Sequence, residues 1–223
     1  MATKQRKPAA PKPPPMALVA KGVGKSIEGT VLLRPIDLGA RRGECVVLRG
    51  ENGSGKTTLL RIIAGTLDPS EGTATIDGVA ADERDPAIRR SVAALIGSPT
   101  AYRDLTLADH LVLIDATWGR DDDADDRAES MLETLEIAHL ADRFPHELSS
   151  GQQQLFHLAM VLSRPSTVLL LDEPEQRLDT HKRALLGDLL VARKQAGTVV
   201  VVACHDPVLT ERIADRVVDV VPA

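Results

Sequence analysis

Residues 50–58 carry the most informative chemical pattern in this chain. They read Gly-Glu-Asn-Gly-Ser-Gly-Lys-Thr-Thr and fit the phosphate-binding template G-x-x-x-x-G-K-[ST] at each fixed position. Glycines let the backbone approach a phosphate closely, and the N–H groups at a helix start direct partial positive charge toward it. The pattern therefore predicts a binding site for a nucleoside triphosphate. The predicted contacts are Gly50, Glu51, Asn52, Gly53, Ser54, Gly55, Lys56, Thr57 and Thr58.

Lys56 and Thr57 supply the two side chains with specific tasks in such a site. The Lys56 ammonium is expected to contact the β- and γ-phosphates, and the Thr57 hydroxyl is expected to ligate Mg²⁺. The alternative interpretation is a glycine-rich turn that holds a lysine by chance. The apolar run at residues 44–48 and the helical spacing at 59–64 favour the binding site, because they predict strand, loop and helix in that order.

Two carboxylates follow a second apolar run, at residues 168–171. Asp172 is expected to hold Mg²⁺, and Glu173 is expected to be the general base that polarises a water in line with the γ-phosphate. Open parallel sheets bind their ligands at the carboxyl ends of such strands. The alternative is an ordinary strand exit with two acids in solvent, and the upstream phosphate loop favours the catalytic interpretation.

The composition limits what kind of protein can hold this site. The chain has 223 residues, of which 43% are hydrophobic and 2% aromatic, so aliphatic side chains must build its core. Its formal net charge of −5 provides no positive field for DNA or RNA, and it has few aromatic rings to stack on bases. We therefore expect no nucleic-acid partner.

The cysteines and the hydropathy pattern indicate a reducing compartment. Cys45 and Cys204 lie in apolar runs that predict buried strands, and they form neither a disulfide framework nor a zinc-binding spacing. No apolar stretch reaches the roughly 20 residues that a transmembrane helix needs. We expect a cytoplasmic protein that another protein would have to anchor at a membrane.

Strands and helices alternate over most of the chain. Residues 17–20 and 31–38 predict an antiparallel lead-in, with Pro35 limiting the second strand to an edge or a bulge. A further strand is predicted at 73–76, before an Asp-Gly turn. The later predicted strands are 92–96, 167–171, 198–203 and 217–221, and the later helices are 180–194 and 207–214. This alternation predicts a mostly parallel sheet with helices on both faces.

The chain divides into a tail and one domain with a helical insert. Residues 1–15 combine four basic residues with five prolines and no acid, which predicts a disordered tail. Residues 16–223 form the predicted domain. Helical patterns at 106–117 and 124–136 interrupt the alternation and predict a helical subdomain at about residues 98–147.

A third motif, residues 148–152, lies between the two sites and begins a long helical run. It reads Leu-Ser-Ser-Gly-Gln, and Ser149 with Gln152 three residues later also fits a helix-capping box. Taken in order with the phosphate loop and the acidic strand end, the motif makes the chain resemble the ABC-type ATPases, whose signature is LSGGQ. The resemblance covers residues 16–222, and the motif departs from the signature at Ser150.

The resemblance implies an α/β fold of the P-loop NTPase type. The implied parts are a RecA-like, mostly parallel sheet core, an antiparallel β lead-in and an α-helical subdomain. It also implies that the signature of one subunit covers an ATP that the phosphate loop of another subunit holds. The residues acting in trans would be Ser149, Ser150, Gly151 and Gln152.

Further roles follow from the resemblance. Asp179 matches the D-loop aspartate, and His205, which follows a buried strand, matches the switch histidine at the γ-phosphate. The implied catalytic set is Lys56, Glu173 and His205, with ATP and Mg²⁺ as ligands.

Several positions depart from the family pattern. Ser98 occupies the place of the Q-loop glutamine, so it would reach Mg²⁺ only through water. Ile27 falls where an aromatic residue usually stacks on adenine, which leaves selectivity for ATP over GTP open. Gln176 and Arg177 replace the usual small residues before Asp179.

The resemblance implies the ATP-binding and ATP-hydrolysing subunit of an ABC transporter. Its partners would be a second ABC ATPase subunit, identical or related, and a multi-pass transmembrane permease that holds it at the inner face of the cell membrane. The chain extends 18 residues beyond His205, too few for the regulatory domain of many importers, which favours an exporter, including the haem-exporter class. Two alternatives stay open: a soluble ABC ATPase of protein or cofactor assembly, and a slow nucleotide-dependent regulatory subunit.

Overall fold

The strands of the structure belong to two sheets, one parallel and one antiparallel. The structure is a computed structural model that describes residues 15–223. The tail predicted for residues 1–15 thus lies outside the described residues, apart from its last one. Within 15–223 the strands are β1 (Met16–Ile27), β2 (Thr30–Arg41), β3 (Cys45–Arg49), β4 (Glu71–Ile76), β5 (Val79–Ala80), β6 (Val92–Leu95), β7 (Val168–Asp172), β8 (Val199–Ala203) and β9 (Arg216–Asp219).

The helices lie between these strands and form a continuous group between β6 and β7. They are α1 (Lys56–Ile63), α2 (Pro86–Ser91), α3 (Leu107–Thr117), α4 (Ala124–Thr134), α5 (Ser150–Leu162), α6 (Thr180–Gln195) and α7 (Pro207–Ile213), with short 3-10 helices at Ala138–Leu140 and Pro145–Glu147. All the secondary-structure elements between β6 and β7 are helices, as expected from the sequence. A separate subdomain with the bounds 98–147 stays a prediction.

The parallel sheet is the central element of the fold. Its strand order is β6-β7-β8-β3-β9, and each neighbouring pair is parallel. All of its strands therefore point their carboxyl ends toward the same edge, where the chain leaves β3, β7 and β8. The predicted α/β class with a mostly parallel core is confirmed.

The antiparallel sheet has the order β2-β1-β4-β5 and is larger than the sequence indicated. β1 and β2 each have 12 residues, whereas the apolar patterns covered only parts of them. Their pairing shifts register several times, for example between Ala20 and Val23, and such irregularities interrupt the alternation from which a strand is predicted. β2 lies at the edge of the sheet, so Pro35, which has no N–H to donate, is tolerated there as predicted.

Two clusters of buried aliphatic residues cover the two faces of the parallel sheet. In β8, Val200 and Val202 pack into the cluster formed with α3 to α7, whereas Val199 and Val201 pack into the cluster formed with α1 and the antiparallel sheet. A strand buried on both faces has no polar alternation, which explains its unbroken valine run. Full burial of each such side chain contributes about 1.5–3 kcal/mol.

An ion-pair cluster joins the end of α3 to the start of α4. The Asp115 carboxylate, 3% exposed, accepts from the guanidinium groups of Arg120 and Arg127, the second through an Nε–Oδ2 distance of 2.6 Å. Arg120 also donates to the carbonyl of Ser163 at 2.7 Å, just beyond α5. Asp115 and its two arginines thus link α3 and α4 to the end of α5.

Trp118 follows α3 directly and lies in a cleft between α2 and the helical group. The Arg164 guanidinium lies over its ring, 5.5 Å from the centroid. The cleft has a volume of about 610 Å³ and is also lined by Pro86, Arg89 and Ile114. The indole ring therefore lies where α2 meets the helical group.

Within residues 15–223, no helix combines the length and the apolar character that crossing a bilayer requires.

Candidate functional site

The loop between β3 and α1 has a backbone path that only glycine allows at two positions. At Gly50, a Cβ atom would lie 2.3 Å from the Val220 carbonyl oxygen. Gly55 has φ +102°, and a Cβ there would lie 2.6 Å from the Leu32 carbonyl oxygen. Substituting either residue would displace the loop.

Helix α1 begins directly after this loop and presents free N–H groups to it. Gly55 occupies the N-cap position, and no side chain of the described part caps this helix end. The Ser54 hydroxyl is fully buried and has no hydrogen-bond partner there. Because uncapped N–H groups and a lone hydroxyl are donors, the residues present fit a bound phosphate chain.

The Lys56 ammonium lies within the loop. Its side chain is buried, and Nζ donates to the carbonyl oxygens of Gly50 at 2.8 Å and Glu51 at 2.9 Å. These contacts hold the ammonium close to the turn, and no acidic side chain of residues 15–223 forms an ion pair with it. The loop thus holds the Lys56 ammonium against its own backbone, and the contact of this ammonium with phosphates stays a prediction.

Thr57 and Asp172 come together from distant parts of the chain. The Thr57 hydroxyl donates to Asp172 Oδ2 at 2.7 Å, linking the first turn of α1 to the end of β7. Burial raises the pKa of Asp172 above its usual range, and the nearby Glu173 adds to this, while the Thr57 hydroxyl and Lys56 oppose it. A hydroxyl and a carboxylate together are ligands that suit Mg²⁺, so the predicted pair fits that ion.

Glu173 and His205 face each other across the ends of β7 and β8. His205 Nε2 lies 3.1 Å from Glu173 Oε1, and the Glu173 N–H donates to the Ala203 carbonyl at 2.8 Å. Glu173 has φ +50°, a left-handed conformation that costs on the order of 1–3 kcal/mol in a residue with a side chain. The residue with this strained backbone lies against the His205 ring and lines a cavity together with the phosphate loop.

Gln176 contacts the same carboxylate and was not among the predicted catalytic residues. Its Nε2 donates to Glu173 Oε2, so each oxygen of Glu173 has a partner. In the sequence, Gln176 was noted only as a large residue in a place where the family has a small one. A contact between two loop side chains gives no periodic signal, so the pattern could not reveal it.

Two cavities meet at this site. The larger, about 430 Å³, is lined by Val31, Leu32, Asn52, Gly53, Gly55, Lys56, Thr57, Thr58 and Glu173. The smaller, about 220 Å³, is lined by Thr57, Leu95, Gly97, Ser98, Gln154, Asp172, Glu173, Gln176 and Arg177. Thr57 and Glu173 line both, so the cavities are neighbours at the predicted reaction centre.

The walls of these cavities differ from the sequence prediction in two places. Val31 and Leu32 line the larger cavity, whereas Ile27, where an aromatic base contact was expected, does not and is half-exposed. Ser98 lines the smaller cavity together with Gln154, which no sequence motif indicated. An amide is therefore present beside Ser98, on α5, although the loop after β6 provides none.

The signature-like motif lies outside both cavities. Ser149, Ser150, Gly151 and Gln152 are exposed or half-exposed at the start of α5, and none of them lines either cavity. Ser149 caps this helix, as predicted, because its N–H donates to Gln152 Oε1 at 2.9 Å and its Oγ accepts from the Gln152 N–H at 3.4 Å. Action of this motif on another subunit stays a prediction.

Asp179 has a structural contact within its own chain. Its Oδ1 accepts from the Lys182 N–H at 2.8 Å, so it is the N-cap of α6. The D-loop role that the resemblance implies is a prediction about a second subunit. The catalytic and metal-binding assignments also stay predictions, although the structure brings Lys56, Thr57, Asp172, Glu173 and His205 into one region.

Comparisons with known proteins agree on one family. The sequence profile described as "ABC transporter" matches residues 33–176. The maltose/maltodextrin import ATP-binding protein MalK of Photorhabdus laumondii is 32% identical over 198 residues, which are 88% of this chain and 53% of MalK. The macrolide export ATP-binding/permease protein MacB of Campylobacter jejuni is 32% identical over 207 residues, which are 90% of this chain and 32% of MacB. The chain thus spans about half of MalK and a third of MacB.

A solved structure is similar over almost the whole described chain. It is a dimeric ATP-binding cassette in a post-hydrolysis state, bound to ADP and Pi. The TM-score is 0.81 and the sequence identity 25%, and the match covers 92% of this chain and 94% of the other.

Proposed function

This chain belongs to the ABC transporter family, and from that premise we propose that it binds and hydrolyses ATP as the nucleotide-binding subunit of a transporter. The observation that carries the proposal is the 2.7 Å contact between Thr57 and Asp172, which joins the phosphate loop to the acidic end of β7. Binding alone would need only the loop. The second element supplies a carboxylate and a base next to it, as phosphoryl transfer to water requires.

The proposed steps follow from the position of each side chain. Lys56 and the N–H groups of α1 would hold the phosphates, and Thr57 and Asp172 would hold Mg²⁺, which would supply positive charge to offset that of the phosphates. Glu173 accepts a proton from the attacking water. His205, 3.1 Å from the Glu173 carboxylate, orients that carboxylate and contacts the γ-phosphate. ATP is the proposed nucleotide.

The proposed assembly contains two such chains and a permease. Ser149 to Gln152 lie away from the cavities of their own chain, which supports a site completed by the signature of a second subunit. ATP-driven closure and reopening of that dimer would move a multi-pass membrane partner that holds the chain at the inner face of the cell membrane. A homodimer and a heterodimer are both compatible with these residues.

Export is the proposed direction of transport. The names of the relatives favour neither direction, because MalK is an import protein and MacB an export protein. Transport of labelled compounds into or out of membrane vesicles that contain the chain with its permease determines the direction.

The first test measures ATP turnover by the purified full chain. We expect Lys56→Ala and Glu173→Gln each to lower turnover at least 100-fold, because each removes a group that acts on the reacting phosphate or water. Lys21→Ala, at an exposed lysine of β1, is the matched control and should change turnover less than twofold. Unchanged turnover in either site variant would refute the assignment.

A second measurement separates the transporter from its alternatives. We expect the tagged chain to purify from gently solubilised membranes with one stoichiometric multi-pass protein. Recovery with assembly factors from the soluble fraction would support a soluble ABC ATPase instead. Stable ATP binding with turnover no faster than that of Glu173→Gln would support a regulatory subunit.

A further inference from the structure

Glu175 is a buried carboxyl group beneath the loop that carries His205. Its side chain belongs to a residue that is only 5% exposed, although it lies two positions from the proposed base in the turn after β7. Oε1 accepts a hydrogen bond of 2.8 Å from the His205 backbone N–H. Oε2 is buried and has no hydrogen-bond partner in the described chain.

The surroundings of Glu175 give it little compensation for burial. Among residues 15–223, no lysine, arginine or histidine side chain forms an ion pair with it. Its neighbour Cys204 is also buried, and burial together with Glu175 raises the pKa of that thiol to about 12. Burying an apolar side chain here would cost less free energy than burying a carboxyl group. Residues that are unfavourable for stability in this way are typical of functional sites.

His205 is contacted from two directions by one short segment. Glu175 binds its backbone N–H, and Glu173 binds its ring through the 3.1 Å contact at Nε2. The flanks of the His205 loop have other supports: β8 precedes it, and Asp206 caps α7 by accepting from the Leu209 N–H at 2.9 Å. Between β8 and α7, the Glu175 carboxyl is the acceptor for the His205 backbone N–H.

We propose that Glu175 is a positioning residue that fixes the His205 backbone, so that the imidazole meets Glu173 and the γ-phosphate in one geometry. The proposal rests on the ATPase function proposed above. The 2.8 Å contact holds the His205 amide in place, and a histidine displaced by about 1 Å loses much of its catalytic effect. Glu175 itself touches no reacting atom.

The test compares three variants of the full chain in ATP turnover. Glu175→Leu removes the acceptor, and we expect it to lower kcat about 10- to 100-fold with less than a threefold change in KM for ATP. Glu175→Gln keeps an oxygen acceptor and should restore turnover to within threefold of the wild type. Glu211→Leu makes the same substitution at an exposed glutamate of α7 and should change kcat less than twofold.

A double-mutant cycle separates positioning from a general effect on folding. In a chain that already carries His205→Ala, adding Glu175→Leu should change the residual kcat less than twofold, because the group being positioned is gone. An equal fold loss in both backgrounds would show that Glu175 acts on the fold, and wild-type kcat in Glu175→Leu would also overturn the proposal.

Amide hydrogen exchange tests the contact without relying on turnover. In Glu175→Leu, we expect the His205 amide to exchange at least tenfold faster, while the amides of β8 keep their rates. If the wild-type chain hydrolyses no more ATP than Lys56→Ala, the proposed function is wrong. The exchange rate of the His205 amide then still tests whether Glu175 holds that amide. An unchanged His205 rate would overturn the positioning role.

Discussion

Asp172, Glu173 and Glu175 are three acids within four positions, and their surroundings give them different tasks. Asp172 meets the Thr57 hydroxyl, Glu173 meets a histidine and a glutamine, and Glu175 accepts from the His205 backbone N–H beside the Cys204 thiol. A carboxylate with a hydroxyl beside it suits a metal ion, and one facing an open cavity suits a base. A buried carboxylate held by one amide can only position its partner.

Gln176 occupies one oxygen of the proposed base, which leads to a prediction of faster hydrolysis on its removal. Its amide donates to Glu173 Oε2, while His205 occupies Oε1. This hydrogen bond occupies a lone pair of the carboxylate that the attacking water needs. We expect Gln176→Ala to raise kcat for ATP about 2- to 10-fold, measured by phosphate release from the full chain.

The matched control is Gln195→Ala, at an exposed glutamine at the end of α6, and it should leave kcat within 1.5-fold. Lower turnover in Gln176→Ala would show that the amide assists hydrolysis rather than restraining it.

The residues of the motifs could be predicted from the sequence, whereas the residues that hold them in place could not. Lys56, Thr57 and Asp172 belong to patterns of fixed spacing, and the structure brings them together. Glu175 and Gln154 have no such pattern, because their contacts depend on how distant loops pack. An acid in the turn after a strand is expected in solvent, so the burial of Glu175 contradicts its sequence context.

Among the elements, the helical group between β6 and β7 depends on the ion pairs of Asp115. Replacing this acid leaves Arg120 and Arg127 without their shared carboxylate at the junction of α3 and α4. We expect Asp115→Asn to lower the free energy of unfolding by about 2–4 kcal/mol, near the low end for buried pairs because both arginines are about one-third exposed. Urea unfolding followed by circular dichroism measures this change.

Asp188→Asn is the control for that experiment, since Asp188 pairs with Arg212 on the surface and is 63% exposed. It should change stability by less than about 0.5 kcal/mol. Equal effects of the two substitutions would contradict a structural role for the Asp115 cluster.

Most elements could be predicted because their periodicity is strong. The apolar runs of β7 and β8 and the capping box of α5 were found within one or two residues of their bounds. Helix α2 was not predicted, because six residues are too short for a helical period to stand out. Asp85 followed by Pro86 is the N-cap and first-position signal that would have revealed it.

For the whole molecule, the proposed composite site predicts that two inactive variants restore each other in a homodimer. Lys56→Ala disables the phosphate loop. Ser149→Asp keeps the cap of α5 but places a negative charge beside the partner's γ-phosphate. When the two variants are mixed in equal amounts, half of the dimers contain one copy of each. Each of those dimers has one intact site of two, so about a quarter of wild-type turnover should return.

Each variant alone, at the same total concentration, should remain inactive in the same phosphate-release assay and serves as the blank. No recovery in the mixture, with dimers confirmed by sedimentation, would contradict a site shared between two copies of this chain. The sequence could suggest such sharing only through the family resemblance, since nothing in one chain specifies its partner.

Trp118 gives this molecule a single indole fluorophore at an informative place. It is the only tryptophan of the chain, and it lies between α2 and the helical group with the Arg164 charge over its ring. Indole emission depends on nearby charge and hydration, so intrinsic fluorescence reports on this one cleft without an attached dye. A stopped-flow trace after mixing with nucleotide would thus follow, in real time, any change in spacing between α2 and the helical group.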